Sequence, residues 1–102
     1  MKYIPRPGIV FSTICGVHVL IPTRPVYHEC KSMIRLPFIW AATFELLDKP
    51  DGKNRIFQLH RLISKKSDEE IVNSVENFCQ KLYRDGYLVK VPDEENEETE
   101  EG

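Results

Sequence analysis

Three histidines and three cysteines are the residues best suited to chemistry in this chain: His18, His28 and His60, with Cys15, Cys30 and Cys79. A histidine can act as a general base near neutral pH, and a thiolate can act as a nucleophile or metal ligand. Their spacing supports neither use. The histidines are scattered, and each reads better as a strand, loop or helix-face residue. His28-Glu29-Cys30 places three ligand types side by side, but adjacent residues do not converge on one ion. No second ligand pair at structural-zinc spacing follows, so zinc is disfavoured. A Gly-rich phosphate loop, a nucleophile elbow and a paired-carboxylate signature are all missing. These observations predict a chain that binds without catalysing, and with no cofactor.

The elements that position these residues are legible in outline. A chain of 102 residues with 41% apolar content holds one domain and one core. Ile9 to Ile14 and Val17 to Ile21 are apolar, β-branched runs joined across Cys15-Gly16, a hairpin signal. Val17, Val19 and Ile21 share one face of the second arm, and His18 and Leu20 the other. Pro22 and Pro25 end the pairing. Ser32, Met33, Ile34, Arg35 and Leu36 form a third strand, bounded by Pro37.

From Phe38 to Leu47 apolar residues surround the whole circumference of a helix, which predicts a central position. Lys49-Pro50-Asp51-Gly52 is a turn. Asn54 is placed to cap a second helix carrying Ile56, Leu59 and Ile63. Ser67 and Glu70 make a capping box for a third helix, which runs to Asp85 and ends at Gly86. A short extended segment, 87–91, is positioned to pair with the hairpin. The fold class is α+β, with three strands followed by three helices in one domain over 1–91.

Residues 92–102 form an acidic tail with a disordered composition. Seven of the chain's 16 acidic residues lie in its last ten positions. Without them the balance is 14 basic against nine acidic, or +5, although the whole chain carries −2. The basic body suits an anionic partner. An odd number of spread cysteines points to a reducing cytoplasm rather than a disulfide framework. Lys2 and Arg6 before an apolar run resemble the start of a signal peptide. Pro5, Pro7, Cys15-Gly16 and His18 interrupt it, however, and the run is too short to span a bilayer.

The third helix carries two apolar stripes. Ile71, Val75, Phe78 and Leu82 fall within roughly 60° of each other and form a core face. Val72, Cys79 and Tyr83, with Glu76 at their polar margin, lie about 90° further round. This second stripe faces either more core or a groove, and the sequence leaves both open. The third strand is the natural opposite wall of such a groove. Its free edge can accept an extended peptide as an added strand, with Lys31 and Arg35 supplying positive charge beside it. The same edge also permits pairing of two copies, so a monomer and an edge-paired dimer are both expected states. Basic residues at strand edges equally well guard against aggregation. Hairpin and helices together also suggest a winged helix-turn-helix DNA binder. Ser67-Asp68-Glu69-Glu70 at the start of the last helix would repel phosphate, which makes nucleic acid the second choice.

Several short segments resemble the PqqD-like proteins. They are Tyr3-Ile4-Pro5-Arg6-Pro7-Gly8-Ile9-Val10, Ile14-Cys15-Gly16, Leu20-Ile21-Pro22-Thr23-Arg24, Arg35-Leu36-Pro37 and Trp40-Ala41-Ala42-Thr43. Phe78-Cys79-Gln80-Lys81-Leu82 and Gly86-Tyr87-Leu88 complete the set. These proteins are recognition elements for precursors of ribosomally synthesised, post-translationally modified peptides. The resemblance spans about residues 3–90. It implies a winged-helix-like domain that holds the precursor's leader segment as an added strand between the third strand and third helix. The domain then presents the rest of the peptide to a modifying enzyme, often a radical S-adenosylmethionine maturase. The implied contacts are Ser32, Met33, Ile34, Arg35 and Leu36, with Val72, Glu76, Cys79 and Tyr83, so the resemblance favours the groove. Leu36-Pro37 departs from the Leu-Asn that often opens the family's first helix.

Overall fold

The computed structural model describes residues 2–24 and 32–92. Lys31, the His28-Glu29-Cys30 triplet and the acidic tail from residue 93 lie outside the described residues. The architecture is α+β, with strands first and three helices after them. The strands are β1 (Lys2–Pro5), β2 (Ile9–Ile14), β3 (Val17–Pro22) and β4 (Ile34–Leu36). The helices are α1 (Phe38–Leu46), α2 (Gly52–Ser64) and α3 (Asp68–Arg84), and β5 (Leu88–Val91) follows them.

β2, β3 and β4 make an antiparallel sheet in that order. Both turn residues of its hairpin take positive φ, Cys15 at 52° and Gly16 at 78°. That is the backbone of a two-residue turn matched to strand twist. The register pairs Ile14 with Val17, Phe11 with Leu20 and Ile9 with Pro22. One residue beyond the strands, the Thr23 N–H donates to the Gly8 carbonyl at 2.9 Å. Because antiparallel pairs alternate between bonded and non-bonded, this contact sets the phase of the ladder. Ile9–Pro22 is then a non-bonded pair, as a proline without an N–H requires.

Two expectations about strands are corrected. The segment after α3 pairs with β1, Tyr3 opposite Lys90, and not with the hairpin. Both partners are short, and each finds in the other the ladder it lacks. The third strand of the sequence reading covers Ile34–Leu36 only, because Ser32 is bound elsewhere. Its N–H donates to the Tyr87 hydroxyl at 3.1 Å, and that hydroxyl donates to the Ser32 carbonyl.

The core gathers Leu20, Leu36, Ala41, Phe44, Cys79, Leu82, Tyr87 and Leu88. Trp40 stacks on Phe78 with ring centroids 4.6 Å apart. α1 is covered around most of its circumference, and only the narrow stripe of Phe38 and Glu45 stands exposed. Ala41, Thr43 and Phe44 are buried, while Phe38 at its start is 61% exposed. α2 begins two residues before the predicted cap, at Gly52, and Asn54 instead donates from its side chain to the Asp51 carboxylate. Its buried positions are Gly52, Ile56 and His60, four residues apart, and Ile63 is exposed. A stripe of i, i+4, i+8 drifts slowly around a 3.6-residue helix, and its last turn leaves the core.

α3 follows its sequence signals closely. Ser67 Oγ accepts from the Glu70 N–H, and the Glu70 carboxylate accepts from the Ser67 N–H. At the other end Gly86 (φ 97°) donates to the Tyr83 carbonyl, and the Tyr87 N–H to that of Leu82. This is the paired bonding of a Schellman motif.

Candidate peptide-binding site

Two surfaces contain the predicted contacts, and they are separate. The first is the free edge of β4. Alternation from the phase of the hairpin directs the main-chain groups of Ile34 and Leu36 toward β3, opposite Leu20 and His18. Arg35, opposite Val19, therefore turns its N–H and C=O to the open side. Arg35 is exposed, and Met33, two residues earlier, is 57% exposed. Leu36, predicted as a contact, is instead a buried core residue, because the strand's pleat aims it beneath the sheet.

The second surface is a groove of about 680 Å³ along α3, with Val72, Val75, Glu76 and Cys79 on one side. Lys2 and Tyr3 of β1, Lys90 of β5 and the α1–α2 turn close the other side. Tyr83 stands next to it, edge-on to Tyr3 with centroids 5.8 Å apart. Lys90 Nζ lies 4.8 Å above the Tyr83 ring, a cation–π contact. Val72 and Tyr83 are 49% and 41% exposed. No residue from 32 to 36 lines this groove. Its opposite wall is the β1–β5 ribbon, which occupies the position foreseen for the third strand.

Cys79 separates the two readings of the second stripe. It borders the groove yet is 3% exposed and belongs to the core. Burial, then the charge of Glu76, pushes its thiol up to about 12. It is a small apolar filler rather than a nucleophile. Val72 and Tyr83 remain as the accessible ends of the stripe, and Glu76 is exposed between them.

The two described histidines, His60 and His18, serve packing. His60 is 2% exposed, beneath Trp40 at a centroid distance of 5.0 Å. Its Nε2 lies 2.8 Å from Thr43 Oγ1, which itself donates to the Ile39 carbonyl at 2.8 Å. Both contacts hold together when Nε2 carries the proton and donates to the hydroxyl. Burial, then Lys66, holds His60 below its ordinary value. His18 Nδ1 pairs with the hydroxyl of Thr13 across the hairpin at 3.0 Å. Among the described residues, no three His, Cys, Asp or Glu side chains are grouped to hold a metal ion. Cys15 and Cys79 are free thiols.

Sequence reasoning missed the groove's other wall, Lys2, Tyr3 and Lys90. The available signal was the pair of short apolar runs at 2–5 and 88–91, each too short to stand without a partner strand. No family model, curated protein or solved structure matches this chain. No described helix is long and apolar enough to cross a membrane.

Proposed function

We propose that this chain is a non-catalytic module of the reducing cytoplasm. It holds the leader segment of a ribosomally made precursor peptide in extended form and presents the remainder to a modifying enzyme such as a radical S-adenosylmethionine maturase. The observation that carries this reading is the open side of β4, where Arg35 offers an unpaired main-chain donor and acceptor beside its cationic side chain. An incoming strand gains main-chain bonds there, while side chains at alternate positions find their own contacts. The edge is three residues long, so main-chain bonds are few and the groove beside α3 must contribute. Its floor is partly apolar, and Lys2, Lys49, Lys53 and Lys90 are among its lining. That chemistry suits a leader segment carrying both apolar and acidic side chains.

The resemblance to PqqD-like proteins supports the kind of partner. Nucleic acid is a weaker fit. Asp68, Glu69 and Glu70 fill the first turn of α3, and Arg61 is engaged by Asp68 through two contacts of 2.8 and 2.9 Å. The start of that helix is therefore negative rather than phosphate-seeking.

The test is a titration of isotope-labelled protein with a synthetic leader from a precursor gene adjacent to this one. Amide shifts at Ile34, Arg35 and Leu36, together with Val72 and Tyr83, are expected. Shifts confined to α3 would leave the groove and remove strand addition. Val72→Glu should weaken the peptide about tenfold through a buried charge, with circular dichroism unchanged.

A further inference from the structure

The sheet has a second free edge, and it is the more open of the two. Among the described residues, β2 has β3 on one side only. The phase set by the Thr23–Gly8 bond turns the main-chain groups of Ile9, Phe11 and Thr13 away from β3. The Ile9 N–H is used by the Arg6 carbonyl at 3.0 Å. Phe11 and Thr13 thus present two donors and two acceptors outward, where β4 presents those of Arg35. Soluble proteins usually guard such an edge with charge, proline or a bulge. β2 reads Ile-Val-Phe-Ser-Thr-Ile and carries none of these.

We propose that β2 pairs antiparallel with β2 of a second copy, joining two sheets into one of six strands. The register follows from the outward groups and from symmetry. A two-fold axis perpendicular to the sheet passes midway between the two Ser12 residues, which lie opposite each other. Phe11 of each copy then faces Thr13 of the other, and each such pair exchanges two main-chain bonds. On the outer face Val10 comes opposite Ile14. These two residues are 45% and 51% exposed in the single chain, and each covers the other in the pair. An uncharged strand meets its own copy without repulsion, whereas β4 would bring Arg35 near a second Arg35. The β4 edges stay free at the two ends of the joined sheet. The inference stands on the hairpin alone and does not depend on what β4 binds.

Sedimentation equilibrium on the whole chain should give twice the monomer mass. Ser12→Lys places two like charges at the axis and should raise the dissociation constant at least about tenfold, as should Ser12→Glu. An equimolar mixture of the two variants should regain the dimer, which an unfolded variant could not do. The two Ser12 residues flanking the axis are a non-bonded pair, with Cα atoms about 4.5 Å apart, within disulfide reach. Ser12→Cys on a Cys15→Asn, Cys30→Ser background, which leaves only the buried Cys79, should therefore link copies under mild oxidant, while the background alone stays unlinked. A monomer at the highest soluble concentration overturns the proposal. So does a dimer indifferent to both charged substitutions, or the lack of any link through residue 12.

Discussion

The hydroxyl of Tyr87, a residue with no exposed surface, takes both main-chain groups of Ser32, accepting its N–H and donating to its carbonyl. The chain just beyond α3 thereby fixes Ser32, two residues before β4 and 55 residues away in sequence. This contact shortens the free edge, because Ser32 has no main-chain group left for a peptide. Tyr87→Phe should cost about 1 kcal/mol, since water can partly replace the lost partner at an exposed residue. Denaturant titration measures this, and hydrogen exchange at the Ser32 amide should accelerate. An unchanged exchange rate would mean that the hydroxyl does not hold the strand.

Cys79 and Val72 belong to one stripe but should respond oppositely. Cys79→Arg puts an unpaired charge in the core and should lose about 3–5 kcal/mol, enough to unfold a domain of this size. Val72→Glu sits on an exposed position and should shift stability by no more than about 0.5 kcal/mol. In the folded protein, iodoacetamide should modify the exposed Cys15 and spare Cys79, whose thiol is held neutral. Mass spectrometry of the modified protein resolves the two sites.

Gly52 starts α2 directly against the end of α1. A Cβ built there would lie 2.0 Å from the Leu46 carbonyl oxygen, which is backbone and cannot swing aside. Gly52→Ala should destabilise by about 1–3 kcal/mol through forced separation of the two helices. Gln58→Ala, an exposed change on the same helix, serves as the control in thermal melts.

Stability should fall on acidification in a window that His60 defines. Its folded value is held below 6.5, so the unfolded chain takes up the proton first. Stability is full above 6.5, declines as pH drops from there, and levels off once the folded form also protonates. Melting temperatures across about pH 5 to 7.5 should show this decline. In His60→Gln that part of the decline should vanish, at the expense of a lower overall stability.

Local signals decided much of this protein from sequence alone. Ser67 with Glu70, and Gly86 after a helical run, act over one or two turns of chain, so both caps of α3 stand where their residues place them. The hairpin across Cys15-Gly16 is equally local, and so is the order of strands before helices. Tertiary structure decided the rest. Which strand meets the segment after α3 depends on the ends of the chain coming together, and β1 wins over the hairpin by register that no short stretch encodes. The second stripe of α3 is apolar at Val72, Cys79 and Tyr83 alike. Only packing into the cluster with Ala41, Phe44, Leu82 and Leu88 buries Cys79, and its two neighbours are left open. The same holds for the edges: residue types alone suggested β4, where the charges lie, but the phase of the hydrogen-bond ladder, anchored by Thr23 and Gly8, makes β2 the strand with more to offer.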